Sequence, residues 1–235
     1  MNLSLHATAD PANEAAESLL AGWLSSGRVR TLMVAAGNSP LDLYQRIALR
    51  KLALPQLRVF ALDEYVGVPL EEPRNCANLL RRTVAEAWNL QPDQFFTISS
   101  LPEDALASVQ AQERRIEAAG GLDAIVLGLG QNGHLGFNEP GSAPDSVGRV
   151  LDLESISVEA NRLWFGGHYA PNQGVTVGLK TVLAARRVII LAYGSHKTAA
   201  VRAMTRGPIS SACPASFLQS HPEVHLFLDR AAAGS

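Results

Sequence analysis

The sequence predicts an α/β fold in which a mostly parallel central β-sheet lies between layers of helices. Short apolar, β-branched runs alternate with longer segments of helical periodicity along all 235 residues, which is typical of parallel strands joined by crossover helices. Several strand segments are largely apolar, so both of their faces should be buried. Because the chain shows no internal repeat, low-complexity tract or linker, we expect residues 1–235 to form a single domain.

Six segments are predicted to form the strands of this sheet. Each is a short run rich in Val, Ile, Leu or Phe and is separated from the next by turn-forming or helical sequence. They are 30–35, 57–62, 94–98, 124–127, 187–193 and 224–228.

Helices are predicted between the strands, where apolar residues recur at spacings of three and four. The stripe of Leu20, Trp23 and Leu24 is an example. The longest irregular stretch, 131–148, holds four glycines and two prolines, and a loop of that length in an α/β domain is usually functional. The predicted helices are 12–25, 40–51, 76–89, 103–119 and 196–205.

Composition and charge exclude several classes of protein. The 20 Lys and Arg residues against 22 Asp and Glu leave a net charge of −2, so nothing favours binding to nucleic acid or to an anionic membrane surface. No apolar run reaches the roughly 18 residues of a membrane span, and the N-terminus lacks a signal-peptide pattern. Cys76 and Cys213 are too few for a disulfide framework. We therefore expect a cytoplasmic protein with reduced thiols.

A turn that contains glycine follows the first predicted strand. In open α/β sheets, ligands bind beyond the carboxyl ends of the strands. Ser39 is predicted to cap the next helix, with Pro40 in its first position and Asp42 as a capping-box acid. The backbone N–H groups of Gly37, Asn38 and Ser39 would then face an anion at the positive end of the helix dipole. The alternative is an ordinary capped helix.

Two adjacent acids, Asp63 and Glu64, follow the second predicted strand. A carboxylate at a partly dry strand end can have its pKa raised toward neutrality, as a base that removes a proton beside a carbonyl group requires. Both acids could instead be helix caps or members of surface ion pairs.

A glycine-rich loop follows the strand predicted at 124–127. Gly128, Gly130 and Gly133 satisfy the pattern G-x-G-x-x-G, and Asp152 lies about 20 residues on, as in dinucleotide-binding proteins. The third glycine of that fingerprint should open a helix, but the run at 134–141 does not favour one. The sequence therefore argues against a nicotinamide cofactor.

The same loop carries His134 and Glu139, and a histidine with a nearby carboxylate is a proton-transfer device. Asn132 could orient the imidazole. A lone histidine is usually structural, but that interpretation does not explain why the three polar side chains share one glycine-rich loop.

Taken together, the segments LDEYVG at 62–67 and GQNGHLGFNEPG at 130–141 resemble the glucosamine-6-phosphate deaminase family, within the larger group that includes the 6-phosphogluconolactonases. The resemblance covers nearly the whole chain and implies a Rossmann-like three-layer sandwich, with no metal and no organic cofactor. Other segments resemble the galactosamine-6-phosphate branch, so the hexosamine stays open. Further family matches lie at 37–40, 175–180 and 194–197, and the galactosamine-like segments are 69–70, 75–76, 178–180 and 214–218.

The resemblance implies an enzyme that converts a hexosamine 6-phosphate and water to a ketose 6-phosphate and ammonia. Asp63 would move a proton between C2 and C1 of the opened sugar. His134 would assist ring opening, and Glu139 would raise its basicity. Many relatives carry Asp where this chain has Asn132, so the ring-opening step would depend more on Glu139.

The family's phosphate site maps onto the turn Gly37, Asn38 and Ser39, with Lys197 and Arg162 supplying positive charge. Two other functions stay open on the sequence: a 6-phosphogluconolactonase and a catalytically inactive sugar-phosphate sensor. The combination of Asp63, His134 and Glu139 favours the deaminase over both.

Overall fold

A computed structural model describes residues 1–234, and within them a seven-stranded parallel sheet forms the centre of the molecule. The predicted α/β class is confirmed, since each predicted strand segment overlaps a strand of this sheet. Its strands, in sheet order, are β1 (Asn2–His6), β10 (Val224–Asp229), β9 (Val188–Ala192), β6 (Ala124–Gly128), β2 (Thr31–Val34), β3 (Arg58–Ala61) and β5 (Phe95–Phe96).

A second, antiparallel sheet was not predicted. It joins β4 (Asp63–Tyr65), β8 (Gln173–Thr176) and β7 (Arg149–Asp152), in that order. The chain leaves the main sheet after β3 and enters the small sheet at Asp63, which pairs with Thr176. The junction between the two sheets therefore lies at the predicted acidic pair.

Helices cover both faces of the main sheet. They are α1 (Ala9–Ser25), α2 (Asn38–Leu49), α3 (Cys76–Leu80), α4 (Pro102–Ala118), α5 (Ser155–Trp164), α6 (Leu179–Leu183), α7 (Thr198–Arg206) and α8 (Arg230–Ala233). The predicted helix at 76–89 is divided, because α3 passes into a π-helical segment, Arg81–Glu86. Helices α5, α6 and α8 were missed in the sequence.

The core has one apolar layer on each side of the sheet, as the apolar strands predict. Successive residues of β2 alternate between the layers: Leu32 and Val34 pack with α1 and α2, and Met33 packs with α4 and α7. Strand β1 was missed because it is an edge strand, and Leu3 and Leu5 remain exposed. Within residues 1–234, no helix has both the length and the apolar character to cross a bilayer.

The start of α2 differs from the prediction. The helix begins at Asn38, so Ser39 lies within its first turn and does not cap it, and no side chain caps this end. Asp42 does not complete a capping box but pairs with Arg46, 2.7 Å away. Gly37 precedes the helix with φ of 116°, a conformation that favours glycine. The first N–H groups of α2 are thus left available for a ligand.

Candidate active site

A cavity of about 650 Å³ lies at the carboxyl ends of β2, β6 and β9. After β2 the chain continues to β3, toward one edge of the sheet. After β6 it continues to β9, toward the other edge. Adjacent strands β2 and β6 therefore form the switch point at which open α/β sheets bind ligands. The small sheet and α5 supply the remaining walls.

One end of the cavity is suited to an anion. Gly37, Asn38 and Ser39 line it at the uncapped start of α2, and Lys197 lines it beyond β9. Burial lowers the pKa of Lys197, and no carboxylate of residues 1–234 pairs with its ammonium group. An incoming anion would satisfy both the backbone N–H groups and the lysine.

Asp63 faces the cavity from the junction of the two sheets. Its residue is 6% exposed, and its carboxyl group accepts no hydrogen bond from residues 1–234. Burial, together with the neighbouring charge of Glu64, raises the pKa of Asp63 to about 8. This carboxyl group has the environment of a general base poised near neutral pH.

Glu64 points the other way and has a structural role. Its carboxylate accepts hydrogen bonds from the backbone N–H groups of Tyr65, Cys76 and Ala77 at 2.7, 3.0 and 2.8 Å. Burial raises its pKa to about 7, and these hydrogen bonds oppose the rise. Neighbouring side chains of a strand point to opposite faces. Glu64 therefore caps α3, and Asp63 reaches the cavity.

A cluster of polar side chains stands beside Asp63 in the cavity wall. Glu139 Oε2 lies 3.2 Å from Nδ1 of His134 and accepts a hydrogen bond of 2.7 Å from the amide of Asn132. Asn132 also accepts from the backbone N–H of His134, at 3.2 Å. Burial alone would raise the pKa of Glu139. The hydrogen bond and charge of His134 outweigh this effect, so the pKa lies below its usual range. Asn132 thus orients the carboxylate and the loop, and does not contact the imidazole ring as predicted.

Ser157 is a member of this cluster that sequence reasoning missed. Its hydroxyl lies 3.4 Å from Nδ1 of His134 and also lowers the pKa of Glu139. The residue is 5% exposed and belongs to α5, which forms one wall of the cavity. No local motif could have identified it, because it comes to His134 only through the packing of α5.

Glycines allow the loop to approach this closely. A Cβ atom at Gly130 would lie 2.3 Å from Cδ2 of His134, so the imidazole packs against a bare backbone. Gly136 has φ of 60°, and a Cβ atom there would lie 3.0 Å from Oδ2 of Asp63. Gly130, which belongs to the rejected dinucleotide pattern, and Gly136, which does not, therefore let the polar side chains pack closely against the loop backbone.

The structure does not bring Arg162 to the cavity. Its side chain is 57% exposed on α5 and lies 3.4 Å from Glu159. Arg74, in the irregular segment before α3, lines the cavity instead, and its guanidinium carbon lies 5.5 Å from the ring centroid of Trp164. Sequence reasoning missed Arg74, because the family-like segments at 69–70 and 75–76 lie on either side of it and do not include it.

Comparisons with known proteins agree with this geometry. The family model of glucosamine-6-phosphate isomerases/6-phosphogluconolactonase matches residues 4–226. The chain is 40% identical over 219 residues to a glucosamine-6-phosphate deaminase of Cutibacterium acnes, covering 91% of this chain and 84% of that protein. It is 35% identical over 238 residues to a glucosamine-6-phosphate deaminase of Corynebacterium kroppenstedtii, covering 99% of this chain and 92% of that protein.

Solved structures are similar over the whole chain. A monomeric glucosamine-6-phosphate deaminase superposes with a TM-score of 0.94 at 28% identity, covering 100% of this chain and 99% of that one. A 6-phosphogluconolactonase from Trypanosoma brucei superposes with a TM-score of 0.80 at 22% identity, covering 99% of this chain and 97% of that one. This second likeness concerns the fold alone.

Proposed function

This chain belongs to the family of glucosamine-6-phosphate isomerases and 6-phosphogluconolactonases, and within it we propose that the chain is a glucosamine-6-phosphate deaminase. It converts the hexosamine 6-phosphate and water to the ketose 6-phosphate and ammonia. One observation carries the proposal: the Asp63 carboxyl group, buried and without a hydrogen-bond partner, shares a cavity with the His134–Glu139 pair and an uncapped helix N-terminus.

The substrate phosphate binds at the turn of Gly37, Asn38 and Ser39, with Lys197 as countercharge. These residues line the cavity and offer it backbone N–H groups and an ammonium group without a carboxylate partner. The phosphate therefore orients the sugar so that C1 and C2 extend toward Asp63 and His134.

His134 assists the opening of the pyranose ring. Its Nδ1 faces the carboxylate of Glu139, so Nε2 is the nitrogen available to exchange a proton with the ring oxygen. The lowered pKa of Glu139 supports an ionised carboxylate there, which stabilises the imidazolium form as the proton is taken up.

Asp63, in its ionised form, then removes the proton from C2 of the open aldehyde as O1 gains a proton, and returns a proton to C1 as the nitrogen loses one. The resulting C2 imine adds water, and the adduct releases ammonia and leaves the ketone. One water molecule enters and one ammonia leaves, so the step needs no oxidant or reductant. Because burial raises the pKa of Asp63 to about 8, the ionised fraction and the rate rise with pH through that region.

A 6-phosphogluconolactonase would need a water molecule directed at the lactone carbonyl, but no base at C2. The placement of Asp63 therefore favours the deaminase over the lactonase. It also favours a working enzyme over an inactive sensor, since a sensor has no use for a buried carboxyl group that lacks a partner.

The galactosamine epimer remains a second candidate substrate, because the proposed proton transfers take place at C1 and C2 and the two sugars differ at C4. A preference between them requires a contact with the C4 hydroxyl group. Both cysteines, Cys76 and Cys213, are buried free thiols, which suits the reducing cytoplasm in which we propose that residues 1–235 work as one unit.

The test is to measure release of ammonia and ketose 6-phosphate from glucosamine 6-phosphate and from galactosamine 6-phosphate, with 6-phosphogluconolactone as a control. We expect ammonia and ketose in equal amounts from at least one amino sugar. Hydrolysis of the lactone without ammonia release from either sugar would refute the proposal. Binding of the sugars without any reaction would support the sensor instead.

A further inference from the structure

Two segments that are far apart in the chain meet at the cavity wall through Arg74 and Trp164. The guanidinium group lies over the indole ring, with 5.5 Å from the guanidinium carbon to the ring centroid. The indole N–H also donates a hydrogen bond of 3.4 Å to the Arg74 carbonyl group. The side chain of Arg74 is thus positioned by α5, although it belongs to the segment before α3.

Arg74 lacks the partner that an arginine usually has. No carboxylate of residues 1–234 pairs with its guanidinium group, and the nearby Glu72 accepts instead from the Arg74 backbone N–H, at 3.3 Å. Among the described residues that line the cavity, the only arginine is Arg74, the only lysine is Lys197, and the only carboxylic acid is Asp63. Because the raised pKa keeps Asp63 largely protonated at neutral pH, the wall of the cavity has an excess of positive charge.

Arg74 lines the same cavity as the anion-binding turn. Trp164 packs against the apolar cluster that contains Tyr65, Cys76 and Phe165, and Ala36 packs against the same cluster. Ala36 directly precedes Gly37, the first residue of the turn. Arg74 and the N–H groups of α2 thus belong to the lining of one cavity, which this apolar cluster borders.

We propose that Arg74 is a substrate-binding residue that supplies the second positive charge of the phosphate subsite, in place of the predicted Arg162. A phosphate monoester carries a charge of about −1.5 to −2 at neutral pH, and Lys197 alone leaves part of it uncompensated. The planar guanidinium group can donate two parallel hydrogen bonds to phosphate oxygens. Because the Trp164 ring already restricts the Arg74 side chain before the ligand binds, less conformational entropy is lost on binding.

The inference rests on the proposed function for the identity of the ligand, but its test does not require turnover. Binding of inorganic phosphate and of glucose 6-phosphate is measured by calorimetry for the wild type, Arg74→Ala, Arg74→Lys and Arg162→Ala. Arg162→Ala is the matched control, because it removes a neighbouring arginine that lies outside the cavity.

We expect Arg74→Ala to weaken the binding of both ligands about tenfold, as the loss of one charge-assisted contact implies. Arg74→Lys should recover part of the affinity, and Arg162→Ala should change it less than about twofold. Because Arg74 is exposed, its variants should keep the wild-type melting temperature, and this confirms that they are folded.

Wild-type affinity of Arg74→Ala for phosphate would overturn the inference, and so would a loss of affinity for glucose 6-phosphate alone, which would place Arg74 against the sugar. Equal losses in Arg74→Ala and Arg162→Ala would also overturn it, as a general effect of surface charge. If the wild type binds phosphate through Arg74 but releases no ammonia from either amino sugar, the proposed function fails and this assignment stands.

Discussion

The Asp63→Asn variant separates the proposed chemistry of the site from its effect on stability. The substitution keeps the shape of the side chain but removes the ability to ionise. The proposed base is then absent, so turnover should fall at least about 100-fold while glucose 6-phosphate still binds with nearly the wild-type affinity. The same change should stabilise the folded protein at neutral and alkaline pH.

The size of the stabilisation follows from the pKa of Asp63, which is about 8 in the folded protein against an ordinary value of 3.8. Below about pH 4 the carboxyl group is protonated in both states, and its burial carries no ionisation penalty. Between pH 4 and 8 only the unfolded chain ionises, so the wild type loses stability as the pH rises. At about 1.4 kcal/mol for each pH unit, the loss reaches about 4 kcal/mol at pH 7 and levels off above pH 8.

The assay is urea unfolding of both proteins at pH 4, 5.5, 7 and 8.5, with the free energy of unfolding compared at each pH. The variant's advantage should increase from pH 4 to pH 8.5. Asp145→Asn is the matched control, because this aspartate is exposed and makes no hydrogen bond or ion pair within residues 1–234. A constant difference between wild type and Asp63→Asn would refute the raised pKa, and near-wild-type turnover would refute the base assignment.

Three further predictions concern the anion end, the polar cluster and the loop. Lys197→Ala should weaken binding of glucose 6-phosphate by about 1.5 to 3 kcal/mol in calorimetry, and unchanged affinity would remove Lys197 from the site. Ser157→Ala should raise the pKa of Glu139 in a carboxyl titration followed by NMR, because a hydroxyl group that lowers this pKa is lost, while Ser157→Thr should restore it; identical titration curves would contradict the contact. Gly136→Ala should cost about 1 to 3 kcal/mol in unfolding experiments, because its Cβ atom would crowd Leu62 and Asp63, and more than Gly27→Ala, where φ is 69° but the added Cβ atom meets nothing within 4 Å. Equal costs for the two glycines would contradict the crowding.

The α/β class could be predicted from the sequence because its cause is local. Alternation of apolar strands with amphipathic helices is visible within short windows, and burial of both faces follows from the composition of each strand. Strand β1 was the exception in the main sheet, since its alternating polar residues and exposed leucines lack that signal.

Part of the candidate site could also be predicted, because several of its members lie close together in the chain. Asn132, His134 and Glu139 share one loop, and Asp63 follows directly on a strand, so motif and strand end were enough to propose them. Which of the two adjacent acids faces the ligand was not visible, because it depends on the face of β4 that turns toward the cavity.

The remaining members of the site depend on pairing between distant segments. Strand β4 joins β8 more than one hundred residues later in the chain, and that pairing sets the direction of Asp63. Ser157 and Arg74 reach the cavity only because α5 packs across it. The fold class, the loop that carries Asn132, His134 and Glu139 and the turn at 37–39 could thus be predicted, because each arises from residues that are neighbours in the chain. Three features follow from long-range packing: Asp63 is the acid that faces the cavity, Ser157 lies beside His134, and Arg74 rather than Arg162 lines the wall. Burial and side-chain direction are set there by contacts that no local pattern encodes.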